Sequence, residues 1–395
     1  MAKRILAEIN HEILRWARET SGLSLEDATK KIGISSFEKL AAFERGEVQP
    51  SISQVRRASQ VYKRSFAVFF LSRVPPSYNL PHDFRRMPGT NIPEPSPQLL
   101  WELRKARRRR KVAEELFEDL EFIPPQFDLR ANRNENTDNL AHRIRQWLGV
   151  DLQKQNSWSG YYDSLNGWLA VMESKGIFVF QTGDVSLSEI RGFSIPDDAN
   201  PTIVLNGKDS PKARVFTLMH ELAHLVLNQG GLCDPLKFRS QTQSDEEFIE
   251  VFCNRVAGSI LVPLPALMQI PEVSLSSLRT VWKDGQIREL ADVFAVSREV
   301  LLLRLFYLDK VTQAFLDSKF GQYRREYARK SSEKKEEGFP PQYRIVVRDN
   351  GKRYTRLVLQ ALERERITLA DVSDYLGVRV KHLEKIADAV QATLN

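Results

Sequence analysis

The stretch Arg214–Leu227 reads RVFTLMHELAHLVL, contains neither proline nor glycine, and carries His220-Glu221-Leu222-Ala223-His224. No other feature of the chain limits its fold as strongly. On a helix, residues i and i+4 project from one face. His220 and His224 can therefore place a ring nitrogen each on one metal ion, and Glu221, one step round, reaches the water of that ion. The apolar flanks put this helix inside a core. The domain must then be built around a buried helix that carries polar groups inward. Two of the chain's six histidines stand at this spacing. The plainer alternative, a helix whose histidines are merely packed, weakens once the downstream residues are counted.

Zinc in a catalytic site takes three protein ligands and keeps a fourth position open. Candidates for the third lie in Asp245–Gly258. There Phe248, Phe252, Val256 and Ser259 mark one inward side of a second helix, while Glu250, Cys253, Asn254 and Ala257 run along a neighbouring side. A carboxylate on such a helix, facing the first, is the arrangement of His-His-Glu zinc hydrolases. A thiolate also binds zinc, but Cys253 beside Phe252 reads as a packed small residue. Cys233 follows Gly230-Gly231 and has no partner at metal spacing.

The two segments together resemble the ImmA/IrrE metallopeptidases. That family carries His-Glu-x-x-His, then after some 25 residues Glu-x-x-Ala-Asn-x-Phe-Ala-x-x-Leu-Leu-x-Pro. Here Glu250, Asn254, Ala257, Leu261 and Pro263 fit, with Cys253 and Val256 as departures. The resemblance implies a zincin-like α+β domain in which His220, His224 and Glu250 bind zinc, or manganese, and Glu221 is the general base. Zinc lowers the pKa of its water towards about 7 and polarises a carbonyl, and Glu221 then passes the proton to the leaving amine. Arg214, His142, Tyr161 and Tyr162 are candidate donors to the oxyanion, with no choice among them. Three short strands are expected before the motif, at Gly176–Gln181, Glu189–Ser194 and Thr202–Asn206. The last is the expected edge strand for an extended substrate. Ile287–Ser297, leading to Arg304-Leu305, looks like the family's closing helix pair.

The first 75 residues read as four short helices. Ser24 precedes Leu25, Ala28 and Ile32, with Asp27 at capping spacing. Gly33 and Gly46 stop helices two and three, and Pro50-Ser51 opens the fourth. The order resembles XRE-type helix-turn-helix domains, carried by Gly22-Leu23-Ser24, Ile32-Gly33-Ile34-Ser35 and Phe43-Glu44-Arg45-Gly46-Glu47-Val48-Gln49-Pro50-Ser51. In that family the third helix enters the major groove. The resemblance implies Ser35, Ser36, Lys39 and Arg45 as DNA contacts. Ser and Glu38 are poorer base readers than the Gln, Arg or Asn that bind purines bidentately, so a four-helix docking or dimerisation module is the alternative.

The 395 residues divide by composition into 1–75, a linker with a basic-then-acidic helix at 76–134, the peptidase-like region 135–310, and a charged linker with helical tail at 311–395. The chain is expected to be mainly α with a small β-sheet. The run Arg104–Lys111 reads as a solvated helix face neutralised by Glu114–Asp119. In the tail, Thr368 and Asp371 stand at capping spacing and Gly377 stops the helix. The net charge of +7 permits nucleic-acid contact without requiring it. Two cysteines make no disulfide framework. No apolar run approaches a membrane span, and Glu8 and Glu12 interrupt any leader-like stretch. These features point to the cytoplasm.

The expected function is a DNA-binding regulator carrying a zinc endopeptidase that cleaves a repressor-type protein, or itself near Pro75–Pro95, under stress. The alternative is an antitoxin that represses its operon and binds a PIN-type nuclease toxin through the peptidase-like domain. A DNA operator, a protein partner and a homodimer are the expected partners, with no membrane.

Overall fold

A computed structural model describes residues 5–75, 95–158, 160–228, 232–233, 245–278, 281–333 and 340–391. The fold is mainly helical with one small sheet, the expected class. The chain divides into two compact units, one of Met1–Leu80 with Arg85–Arg107, the other chiefly of Arg108–Asn395.

In the first unit the helices are His11–Glu19, Leu25–Ile32, Phe37–Glu44 and Ile52–Tyr62. Each begins where a short polar side chain accepts a backbone N–H: Asn10, Ser24, Ser36 and Ser51 respectively. Gly33 ends the second helix at φ 73°, a left-handed position that suits glycine. Ile13, Leu14, Ala17, Ile32, Leu40 and Phe43 close one apolar core. Glu44 is buried within it. Arg18 donates from Nε and Nη2 to its two carboxylate oxygens at 2.8 and 2.9 Å. The glutamate of the Phe43-Glu44-Arg45-Gly46 stretch thus joins the third helix to the first. Deleting either partner strands a buried charge.

The long helix Pro97–Asp119 carries the basic run, and here the structure corrects the sequence reading. Arg109 is buried, lies 4.9 Å over the Phe180 ring and donates to the Asp349 carbonyl at 3.0 Å. Arg108 pairs with Asp374, and Arg110 reaches Asp197 as well as Glu114. The run is largely a set of tertiary contacts, not a solvated face. Guanidinium groups suit this because they stack on rings while their edges bond to carbonyls.

The second unit contains the sheet, in the order β1-β3-β2-β4: β1 Phe178–Thr182, β2 Gly192–Ile195, β3 Thr202–Asn206 and β4 Leu232–Cys233. β1 runs parallel to β3; β2 is antiparallel to both β3 and β4. The expectation of an edge strand at Thr202–Asn206 is therefore wrong, because β3 is paired on both sides. Its unbroken apolar centre, Ile203-Val204-Leu205, is buried on both faces, as an interior strand requires. The helix Pro211–Val226 lies against β2 and β3, with helices Tyr161–Ser174 and Asp245–Leu261 packed on it. Asp284–Val293 and Arg298–Tyr307 form the expected closing pair.

The C-terminal helices Gln342–Asn350 and Lys352–Glu363 pack on β1. Between them Gly351 has φ 70°, and a Cβ there would stand 2.4 Å from the Val179 carbonyl oxygen. Thr368 and Asp371 form the expected capping box, and Gly377 is left-handed. Most of the proline-rich linker, and the charged stretch beyond Glu333, lie outside the described residues. Among the described residues no helix is long and apolar enough to cross a membrane.

Candidate metal centre

Ser210 caps the helix that carries the motif by accepting the Ala213 N–H, and Pro211 sits in its first turn, where no N–H is needed. From Thr217 to Val226 every side chain is buried. β2 approaches closely at Gly192: a Cβ there would stand 2.7 Å from Thr217 Cγ2 and 2.9 Å from the Val204 carbonyl oxygen. Glycine thus lets the sheet reach the helix one turn before Glu221.

The second helix, Asp245–Leu261, is held at its C-terminal end, where helix carbonyls lack intrahelical donors. Arg145 Nη1 donates to the Ile260 carbonyl at 2.7 Å and Gln155 Nε2 to that of Leu261 at 3.0 Å. Arg304 Nε donates to the Val262 carbonyl at 3.2 Å, and its guanidinium also pairs with Asp138. These buried bonds set the position of the helix along its axis, and hence of Glu250 and Asn254. Phe252, Val256 and Ser259 face inward as expected, but Phe248 is exposed. It lies in the helix's first turn.

His220, His224 and Glu250 converge, all three buried. The two Nε2 atoms are 3.1 Å apart. Glu250 Oε2 is 3.4 Å from His220 Nε2, and its Oε1 is 3.2 Å from His224 Nε2. A tetrahedral zinc with bonds of about 2.0–2.1 Å separates neighbouring ligand atoms by about 3.3 Å, so the donor set fits such an ion. Among the described residues this is the group in which three metal-ligand atoms meet. Cys253 is buried but outside it, and nothing is described of the Cys233 side chain.

Sequence reasoning paired Glu250 with Asn254 at i, i+4 but assigned the asparagine no task. Its Oδ1 lies 2.9 Å from His220 Nδ1 and accepts that N–H, leaving Nε2 to face Glu250 and His224. The i, i+4 spacing was the available signal. Among the described residues His224 Nδ1 has no hydrogen-bond partner.

Both carboxylate oxygens of Glu221 are buried and, among the described residues, have no hydrogen-bond partner at good geometry. The Ser194 hydroxyl on β2 faces this group, also without a bond at good geometry. Burial pushes the Glu221 carboxyl up to about 7, against the pull of His224 and His220. Burial acts on Glu250 in the same direction, but the two imidazoles outweigh it and hold that carboxyl well below the usual range. Two carboxyls that feel each other's charge are thus driven in opposite directions, the pattern of a group that carries a proton beside one that stays charged.

The other candidates separate. His142, Tyr161 and Tyr162 are exposed. Arg214 is buried and donates to Gln181 Oε1 on β1 at 2.6 Å. In the first unit Ser35 is exposed, the Ser36 hydroxyl caps its helix by accepting the Lys39 N–H, and exposed Arg45 pairs with Glu47 at 2.6 Å.

The sequence model of the IrrE N-terminal-like domain, Peptidase M78, matches residues 172–306, which hold all of His220, Glu221, His224 and Glu250. No curated protein matches the chain. A Mycobacterium tuberculosis transcriptional regulator is a structural relative at 16% identity and a TM-score of 0.30, over 50% of this chain and 52% of that one. The chain thus spans about half the length of that relative.

Proposed function

We propose that the second unit is a zinc-dependent endopeptidase, with manganese as an alternative metal, in which His220, His224 and Glu250 are the ligands and Glu221 is the general base. One observation carries this reading: three ligand atoms at zinc spacing beside a buried carboxylate that, among the described residues, has no hydrogen bond at good geometry. When bound by these three residues, the metal would supply Lewis-acid polarisation of a carbonyl and of a water. Asn254 holds His220 in one tautomer. Glu221 takes the proton of the attacking water on a carboxylate oxygen and returns it to the leaving amine. Ser194 lies where its hydroxyl can steer that carboxylate. The surrounding core keeps bulk water away, which strengthens each charge interaction.

We also propose that the first unit binds an operator through Ser35, Ser36, Lys39 and Arg45, and that the peptidase acts on a repressor-type protein or on its own chain. The supporting observation is the four-helix order with a serine cap at the proposed reading helix. The proposed site of self-cleavage, between Pro75 and Pro95, lies almost wholly outside the described residues.

Elemental analysis of purified protein is the deciding experiment. About one zinc in the wild type, lost in His224→Ala and Glu250→Gln and kept in Glu221→Gln, supports the assignment. A wild type that takes up no metal on reconstitution refutes it and leaves the antitoxin role as the better account. For self-cleavage, a chain that stays intact on long incubation with zinc refutes the reading.

A further inference from the structure

The second unit contains a feature unrelated to the peptidase chemistry. A cavity of about 650 Å³ lies between helices Tyr161–Ser174 and Lys352–Glu363, bordered by the end of the long helix. Its volume is in the range of small-molecule sites. We propose that this cavity binds a nucleoside polyphosphate.

One wall is cationic. Lys352, Arg353 and Arg356 line it from a single helix and Arg364 from the residue just past its end, against the two carboxyls of Asp163 and Glu173. Glu173 is already engaged, since its Oε1 accepts the Arg353 backbone N–H at 3.2 Å. Arg353 lies over the Phe117 and Phe178 rings, at 5.6 and 5.0 Å from their centroids. Its Nη1 donates to the Glu173 carbonyl at 3.4 Å, and its Nε and Nη2 atoms are covered, so Arg353 gives the wall charge and not a hydrogen-bond fork. Arg356 is half-buried and Arg364 exposed, and a planar guanidinium fork matches phosphate oxygens. Past Lys352 a second cavity of about 760 Å³ continues the positive charge with Arg344, Arg348 and Lys385. A ligand with several phosphates suits that continuation better than one with a single phosphate.

The same cavity also offers what a base requires. Phe117, Phe122 and Trp158 line the cavity with aromatic surface, on which a base stacks regardless of its identity. The amides of Asn166 and Gln360 line the same space, and such side chains pair with the donor–acceptor edges of bases. A cationic wall, aromatic surface and side-chain amides in one concavity distinguish this place from an ordinary basic surface.

The test is calorimetric titration of the full-length protein with ATP and GTP, and separately with adenosine and inorganic tripolyphosphate. At least one nucleotide is expected to bind tenfold or more tightly than either fragment. Arg356→Gln combined with Arg364→Gln is expected to weaken it tenfold or more; because Arg356 Nη2 also donates to the Val390 carbonyl at 3.3 Å, Arg364→Gln alone is the stability control, expected to weaken binding threefold or more at an unchanged melting temperature. Arg57→Gln, in the first unit, is expected to leave it unchanged. Tripolyphosphate binding as tightly as the nucleotides overturns the proposal in favour of a general polyanion surface. No binding at millimolar nucleotide, or binding untouched by the double substitution, also overturns it. Metal content and cleavage activity are unaffected by any of these outcomes, so the result is independent of the peptidase assignment.

Discussion

Asn254→Ala tests whether His220 is held for metal binding. Asn254 is 3% exposed, and its Oδ1 lies 2.9 Å from His220 Nδ1. Alanine removes the acceptor and leaves a buried imidazole N–H unpaired, at a cost of about 1–3 kcal/mol. It also frees the ring to turn Nε2 away from Glu250 and His224. Outer-shell partners of this kind are worth about 10–100-fold in metal affinity, or about 1.4–2.8 kcal/mol. The expected result is zinc affinity weakened by that factor, measured by competition with a chelator of known affinity. Asn254→Asp keeps an acceptor and adds charge, so it should bind zinc at least as tightly as the wild type. His224 serves as an internal reference, since among the described residues its Nδ1 has no partner to lose. An affinity reduced less than threefold by alanine, or an aspartate variant weaker than the alanine one, refutes the orienting role.

Glu221→Gln should retain its zinc and lose cleavage by about 10²–10⁴-fold, read as product per hour on any cleaved protein; undiminished cleavage removes Glu221 as the base. Burial pushes Glu173 up to about 7, against the N–H groups of Arg353 and Lys352. The native state therefore holds this proton more tightly than the unfolded chain. The resulting stability is fully present below about pH 4.5 and is lost, to about 3 kcal/mol, as pH rises through about 7. Glu173→Gln should flatten that fall in the second unit's melting transition; an unchanged pH profile contradicts it. Gly351→Ala places a Cβ 2.4 Å from the Val179 carbonyl oxygen at φ 70°, and should destabilise the second unit by upwards of about 2 kcal/mol in denaturant titration.

Much of this protein is local and could be read along the chain. Caps at Ser24, Ser51 and Thr368 and the left-handed glycines Gly33 and Gly377 set helix ends through bonds spanning three to five residues. The pair His220 and His224 is likewise local, because one helical turn alone puts both rings on one face. Glu250 was within reach through its resemblance to a known pattern, although it lies 26 positions beyond His224.

Other features depend on which elements meet. Strand order made β3 interior, since a buried pentapeptide reads alike whether one or both of its edges are paired. The arginines of the long helix have partners some 240 and 266 positions away, at Asp349 and Asp374, so their composition suggested a solvated face. The bond from Asn254 to His220, the approach of Ser194 to Glu221 and the cavity beneath Arg353 each join groups on different elements. By itself the sequence determined most helices, many of their ends and the pairing of His220 with His224 on one face, because those interactions close within a few residues. The strand order, the orientation of His220 and the raised pKa of Glu221 were decided only by the tertiary structure, because they arise from distance and burial among segments far apart in the chain.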